Sequence, residues 1–367
     1  MMKTIEKDGN NGGKQMKKLL KMIFALIALM LVAAAGFIGW LSVREYKPGE
    51  IERLQVSGAQ SSRQPEVGEM ISVLSMNVGY GALGAQQDFF MDGGTMTRPD
   101  DQSVIEENIR GTLSGLSLRK ADVYLLQEVD QDSYRSYGVD QTELFRRGLG
   151  GNMAFAYNYN CDFVPFPWPP IGRVKSGLAT YTGFDVKEAV RVSLPVPFAW
   201  PVRAANLKRC LLVERIPVKD TDKELVMVNL HLEAYDSGEG KIAQTKQLMQ
   251  FLEAEYRKGN YVIAGGDFNQ VFEDAKNVYP VLKAEYWQPG ELRNADLPEG
   301  FSYAFDASTP TCRLLNAPYS GVRSQTQLYM IDGFIVSDNL HINLVETVDL
   351  NFAHSDHHPV YLQATLR

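Results

Sequence analysis

An α/β domain of roughly 300 residues, carried behind one N-terminal transmembrane helix, is what this 367-residue chain predicts. Three features lead to it: an uncharged apolar run near the N-terminus, short apolar segments rich in β-branched residues beyond it, and amphipathic helical stretches alternating with those segments. At 45% hydrophobic and 22% charged, the composition is that of a globular chain rather than a disordered one.

The first element is a basic tail, residues 1–21, with Lys3, Lys7, Lys14, Lys17, Lys18 and Lys21; Gly9 to Gly13 predict flexibility there. Residues 22–43, MIFALIALMLVAAAGFIGWLSV, contain no charge, and about 20 residues of helix span a hydrocarbon core. The lysines in front outnumber Arg44, Lys47 and Arg53 behind, which predicts a single-pass plasma-membrane protein with a cytoplasmic N-terminus and an extracytoplasmic domain. The competing reading is a cleaved signal peptide, for which Ala33, Ala34 and Ala35 supply small residues; cleavage there would leave FIGWLSV as an apolar new terminus. Residues 44–69 are polar and aperiodic and are expected to be a linker, with a single catalytic domain over 70–367.

Within the domain, strands are expected at Ile71–Ser75, Val123–Leu126, Leu178–Tyr181, Leu211–Ile216, Leu225–Leu230, Tyr261–Ala264, Ile331–Val336 and Val360–Leu366. Helices are expected over Ser103–Arg119, where Ile105, Ile109, Leu113 and Leu116 recur three or four apart, and over Ile242–Lys258, stopped by Gly259. Asn77, Glu128, His231, Asp267 and Asn269 each follow an apolar run, whereas Asp332 and the pair Asp356-His357 stand at the start of one. If the late strands run antiparallel to the earlier ones, all of these side chains meet on one rim of the sheet. Taken singly, each has a plain reading as a solvated carboxylate, a half-buried histidine or a turn. Together, oxygen donors and two histidines without cysteine favour Mg²⁺, Mn²⁺ or Ca²⁺ over zinc.

The segments SMNVGY (75–80), LLQEVD (125–130), SGLATYT (176–182), NLHLEAYD (229–236), GGDFNQ (265–270), IDGFIVS (331–337) and SDHHPV (355–360) resemble, in order, the motifs of the endonuclease/exonuclease/phosphatase superfamily, which includes deoxyribonuclease I and neutral sphingomyelinases. The resemblance implies a four-layer α/β sandwich of two mixed β-sheets flanked by helices. It implies a metal-dependent phosphoester hydrolase in which water attacks in line, with Mg²⁺ as cofactor. It implies metal binding by Glu128 and Asp356, a metal or phosphate contact from Asn77, water and phosphate positioning by Asp267 and Asn269, acid–base work by His357 paired with Asp332, and from His231 either a contact to the scissile phosphate or help to the leaving group. His358 falls where the family varies.

Membrane attachment, a net charge of −7 and the short likeness of HLEAYD to the neutral sphingomyelinase segment favour a lipid headgroup or small phosphoester as substrate. Nucleic-acid binders draw affinity from Lys and Arg, so a membrane-anchored nuclease is the alternative, and a non-catalytic surface-binding module with the same fold is a second. No protein partner is inferable. The stretch Phe163–Ile171, FVPFPWPPI, is either a rigid lip beside the site or a proline-stiffened loop on the core; Arg173 and Lys175 after it are expected to meet substrate phosphate. Cys161, Cys210 and Cys312 have no metal-ligand spacing; they read as small buried hydrophobes, with one disulfide as the other reading.

Overall fold

Every strand anticipated from an apolar run forms in the computed structural model, which describes residues 6–58, 61–236 and 238–367. Two seven-stranded mixed sheets result. The first runs, edge to edge, Leu340–Thr347, Val360–Leu366, Met70–Asn77, Val123–Asp130, Gly172–Thr182, Asn152–Val164 and Ser57–Gly58. The second runs Ile51–Arg53, Glu188–Ser193, Cys210–Pro217, Glu224–His231, Tyr261–Asp267, Asp332–Ser337 and Phe301–Ala304.

Each sheet holds one parallel pair at its centre: Met70–Asn77 with Val123–Asp130, and Glu224–His231 with Tyr261–Asp267. The late strands run antiparallel beside these pairs, with Asp332 opposite Asp267 and Val360 opposite Ser75. The C-terminal ends of four strands and the starts of two therefore share one rim, as the polar residues required.

Face to face, the sheets bury Ile71, Val73, Val123 and Leu125 of the first against Leu225, Met227, Ile263 and Phe334 of the second. Gly265 permits this approach: a Cβ there would lie 2.4 Å from the Phe334 ring and 3.1 Å from Leu125. Beneath the rim a polar clasp joins the sheets, Gln127 Nε2 donating to Asn229 Oδ1 at 2.8 Å and Asn229 Nδ2 to the Leu126 and Ala179 carbonyls, both at 3.1 Å. Outside the first sheet lie the helices Gln102–Leu116 and Gln141–Leu149, packing Ile105, Ile109 and Phe145; outside the second lies Glu239–Tyr256, packing Leu248 and Leu252. Helix on sheet on sheet on helix is the expected four-layer sandwich. Asp101 starts the first of these helices by accepting from Ser103 N at 2.7 Å.

The segment 44–69 departs from the expected linker. Ile51–Arg53 pairs with Glu188–Ser193 and Ser57–Gly58 with Asn152–Val164, so the polar chain closes one edge of each sheet. An edge strand with both faces near water needs no apolar alternation, which is why it reads as linker. One continuous helix, Glu6–Val43, takes in both the expected membrane span and the glycines expected to be flexible. Its portion Gly13–Val43 is long and apolar enough to cross a membrane or to serve as a signal sequence, and its most apolar stretch is wholly exposed. At its end Ser42 Oγ accepts from Trp200 Nε1 at 2.9 Å, Arg44 pairs with Asp162 at 2.5 Å, and Arg203 pairs with Glu45 at 2.9 Å. The three cysteines are buried and unpaired.

Candidate active site

Glu128 sits on a β-bulge, where the register of Val123–Asp130 against Gly172–Thr182 shifts between Leu126 and Val129, and its φ is +56°. A non-glycine residue in the left-handed region stores strain of order 1–3 kcal/mol and marks sites where a side chain has been re-aimed. Here the bulge turns the carboxylate into the cleft at the rim. Asn269, with φ +51°, takes the same left-handed conformation just beyond the Tyr261–Asp267 strand.

Asn77 ties the two sheets together: its Nδ2 donates to Glu128 Oε1 and to Asp267 Oδ2, each at 3.1 Å, while Gly79 N donates to its Oδ1 at 3.0 Å. Asp267 Oδ1 accepts from Asn269 N at 2.9 Å, and Asn269 Nδ2 donates to the Leu232 carbonyl at 2.9 Å. The other Asp267 oxygen faces both imidazoles, 3.4 Å from His231 Nε2 and 3.8 Å from His357 Nε2. Behind His357, Nδ1 donates to Asp332 Oδ2 at 2.9 Å, which fixes the tautomer and turns Nε2 toward the cleft. Asp356 Oδ2 lies 3.9 Å from that same Nε2.

Burial dominates the electrostatics. It pushes Asp267 up to about 7, helped by the charge of Asp332 and opposed by His357 and the hydrogen bonds from Asn269 and Asn77. It pushes Asp356 up to about 6, with His357 opposing and Glu128 adding to the rise. His231 is held well below the usual imidazole range by burial and then by Arg209 and His357. For His357, burial opposes the charged ring, but Asp332, Cys312 and Asp356 outweigh it and hold its pKa well above the ordinary value.

Buried carboxylates crowded together in this way form a donor set that could hold a divalent cation. Asp267, Asp332 and His357 present ligand atoms within 4.8 Å of one another, as do Cys312, Asp356 and His357. Asp332 Oδ1 is buried without a partner. Oxygen-rich donors with imidazole at the edge fit a hard cation; neither of the two groups with ligand spacing includes Glu128 or Asn77.

All the rim residues expected from the sequence meet here; the two cations expected to contact substrate phosphate do not. Arg173 and Lys175 do not line the cleft; both pair with Asp132, at 2.6 and 3.5 Å, on the outer part of their strand. A β-strand alternates its faces, and proximity in sequence to the aromatic loop did not put them on the inward one. The cleft cations are instead Arg135, stacked 3.6 Å over the Tyr80 ring and paired with Asp130, Arg209, whose Nη1 donates to the His231 carbonyl at 3.3 Å, and Arg313, whose Nη2 donates to the Gly84 carbonyl at 2.8 Å. Arg209 Nε is buried without a hydrogen-bond partner. Nothing in the local sequence distinguishes these arginines from surface ones. His358, outside the site, donates from Nδ1 to the Pro310 carbonyl at 2.9 Å, accepts from Phe352 N at 3.2 Å and stacks on Phe352.

No protein-family model and no curated protein sequence matches the chain. Solved structures do. An endonuclease/exonuclease/phosphatase protein from Beutenbergia cavernae superposes with a TM-score of 0.56 at 17% identity over 83% of this chain and 72% of its own. Proteins of the same description from Bacteroides vulgatus and Bacteroides thetaiotaomicron superpose with TM-scores of 0.52, at 13% and 16% identity, each over 82% of this chain and 100% and 98% of their own. The fold is that of the endonuclease/exonuclease/phosphatase proteins.

Proposed function

We propose that this chain is a divalent-metal-dependent phosphodiesterase, with Mg²⁺ the cation that best suits its donors, acting on a lipid headgroup or small phosphoester at the extracytoplasmic face of the membrane its helix crosses. One observation carries the reading: the Asp332–His357 pair, Asp267, His231 and the Asn77–Glu128 couple converge on a single cleft from the rims of both sheets.

Bound between Glu128, Asn77 and Asp356, the cation would neutralise charge on the phosphoryl oxygens. Asp267 and Asn269 position the attacking water opposite the leaving group, and Asp267, anchored through Oδ1, takes its proton with Oδ2. His357, oriented by Asp332, presents Nε2–H to a phosphoryl oxygen, where the developing charge strengthens the bond. His231, 3.4 Å from Asp267, borders the same space and serves the leaving oxygen. The water oxygen bonds to phosphorus as the ester P–O bond to the leaving group breaks, and the leaving oxygen takes up a proton in place of the one Asp267 removed from water, so no protein nucleophile is required.

The test is product release by the full-length protein in nanodiscs from bis-p-nitrophenyl phosphate, sphingomyelin, phosphatidylinositol phosphates and plasmid DNA, with Mg²⁺ or EDTA. Metal-dependent turnover lost in Glu128→Ala and in His357→Ala is expected. A folded protein inert toward every substrate with every divalent metal would refute the reading, and preference for DNA would replace it with the nuclease alternative.

A further inference from the structure

The cavity that contains the catalytic rim does not end there. It encloses about 630 Å³ and runs from Glu128, His231 and His357 to the end of the N-terminal helix, whose Phe37, Ile38 and Leu41 form its far wall. Between these ends the lining is mostly apolar: Val164, Phe166 and Ile171 come from the aromatic loop, and Pro201, Val202 and Leu207 from the segment around Trp200. A cleft built only for a water-soluble phosphoester has no use for such a wall, because uncovered apolar surface costs roughly 25 cal/mol per Å² in water.

Depth places the far wall in the bilayer. The 20 residues from Met22, just after Lys21, to Leu41 rise about 30 Å at 1.5 Å each, the thickness of a hydrocarbon core. Phe37 to Leu41 then form its outermost turns, and Trp40 lies at the level where aromatic side chains anchor. The aromatic loop meets the helix at that level, with the Phe163 ring edge-on to Phe37 at a centroid distance of 6.0 Å. Trp200 is bonded to Ser42. Both loops leave large apolar side chains uncovered beside the mouth: Trp168 is 91% exposed, Phe166 70% and Trp200 60%. The loop base packs on the domain, Val164 against Val174, while its aromatic tips stay uncovered.

Resting on the phosphodiesterase reading above, we infer that this cavity is a lateral portal: the substrate is an intact membrane lipid that slides in from the leaflet on the domain side, its apolar chain against Phe37–Leu41 and the aromatic loop, its phosphoester at the catalytic rim. The anchoring helix is thus part of the substrate site as well as a tether, and the exposed aromatic tips seat the mouth in the interface.

The experiment uses the full-length protein in phosphatidylcholine nanodiscs containing a phosphatidylcholine with a photoactivatable diazirine in its acyl chain, with adducts mapped by mass spectrometry. Adducts on Val164–Ile171 and on Val202–Leu207 are expected, and their loss in a Phe166→Asp/Val202→Asp variant; both positions are exposed, so folding tolerates the change. Adducts confined to residues 22–36 would overturn the portal. In parallel, the ratio of phospholipid to bis-p-nitrophenyl phosphate turnover is expected to fall about tenfold or more in that variant, as charge set into a lipid-contacting wall is costly; an unchanged ratio would also overturn it. A wild-type protein that hydrolyses neither substrate but labels at the portal loops refutes the catalytic reading and leaves the lipid portal standing.

Discussion

His357 works only as well as Asp332 holds it. The 2.9 Å bond from Nδ1 both selects the tautomer and stabilises the charged ring, so Asp332→Asn is expected to lower kcat by roughly 10²–10³, the usual worth of a positioned donor to developing charge. Circular dichroism should be unchanged; a kcat within threefold of wild type would remove the pair from the mechanism. Glu214 makes a different case. It is buried with neither oxygen bonded, and burial pushes it up to about 8 from 4.5. Its folded pKa lies above its unfolded one, so the native state keeps a proton that the unfolded chain releases. Stability from this residue is full below pH 4.5 and falls between there and about pH 8, by up to about 1.4 kcal/mol per pH unit. Glu214→Gln is therefore expected to raise the unfolding midpoint at pH 8 far more than at pH 5, as read by denaturant titration at both values. The rim residues were legible because each stands at the edge of an apolar run with its motif intact. Arg209 and Arg135 were not, because what makes them site residues is burial beside His231 and Tyr80, a tertiary fact without a local signature.

Strands buried on both faces announce themselves as continuous apolar runs, and all of those expected form. Of the two large sheets, the strands missed, Asn152–Val164, Glu188–Ser193, Phe301–Ala304 and Leu340–Thr347, lie at or next to sheet edges, and polar residues interrupt their apolar pattern. The same holds for Ile51–Arg53 and Ser57–Gly58, which turned the expected linker into part of both sheets. The closeness of the sheets is itself testable. Gly265→Ala puts a methyl group against Phe334 and Leu125 and is expected to destabilise the domain by about 1–3 kcal/mol, the usual cost of overpacking. Urea unfolding measures it; a stability equal to wild type would mean that the sheets separate freely.

At the scale of the whole chain, each sheet contributes one parallel pair with an antiparallel neighbour, and the rim residues of the candidate site divide between them: Asn77, Glu128, Asp356 and His357 from the first sheet, His231, Asp267 and Asp332 from the second. Neither half contains a complete site, so the cleft forms only when the sandwich closes. The family resemblance made this architecture legible; the joining of helix to domain was not, since it depends on Trp200, Arg203 and Asp162, far along the chain from the residues they hold. Three such contacts on one helix end oppose swinging of the domain about its anchor. With the protein in one population of vesicles and labelled lipid in another, hydrolysis is expected only after the two are fused, and turnover in the shared bilayer should follow the mole fraction of substrate whatever the total lipid concentration. On the function proposed above, an anchored lipid hydrolase would search in two dimensions, meeting only what diffuses past it in its own sheet of lipid at a pace set by membrane fluidity, while the bonds at Ser42, Arg44 and Glu45 hold its domain against the helix end.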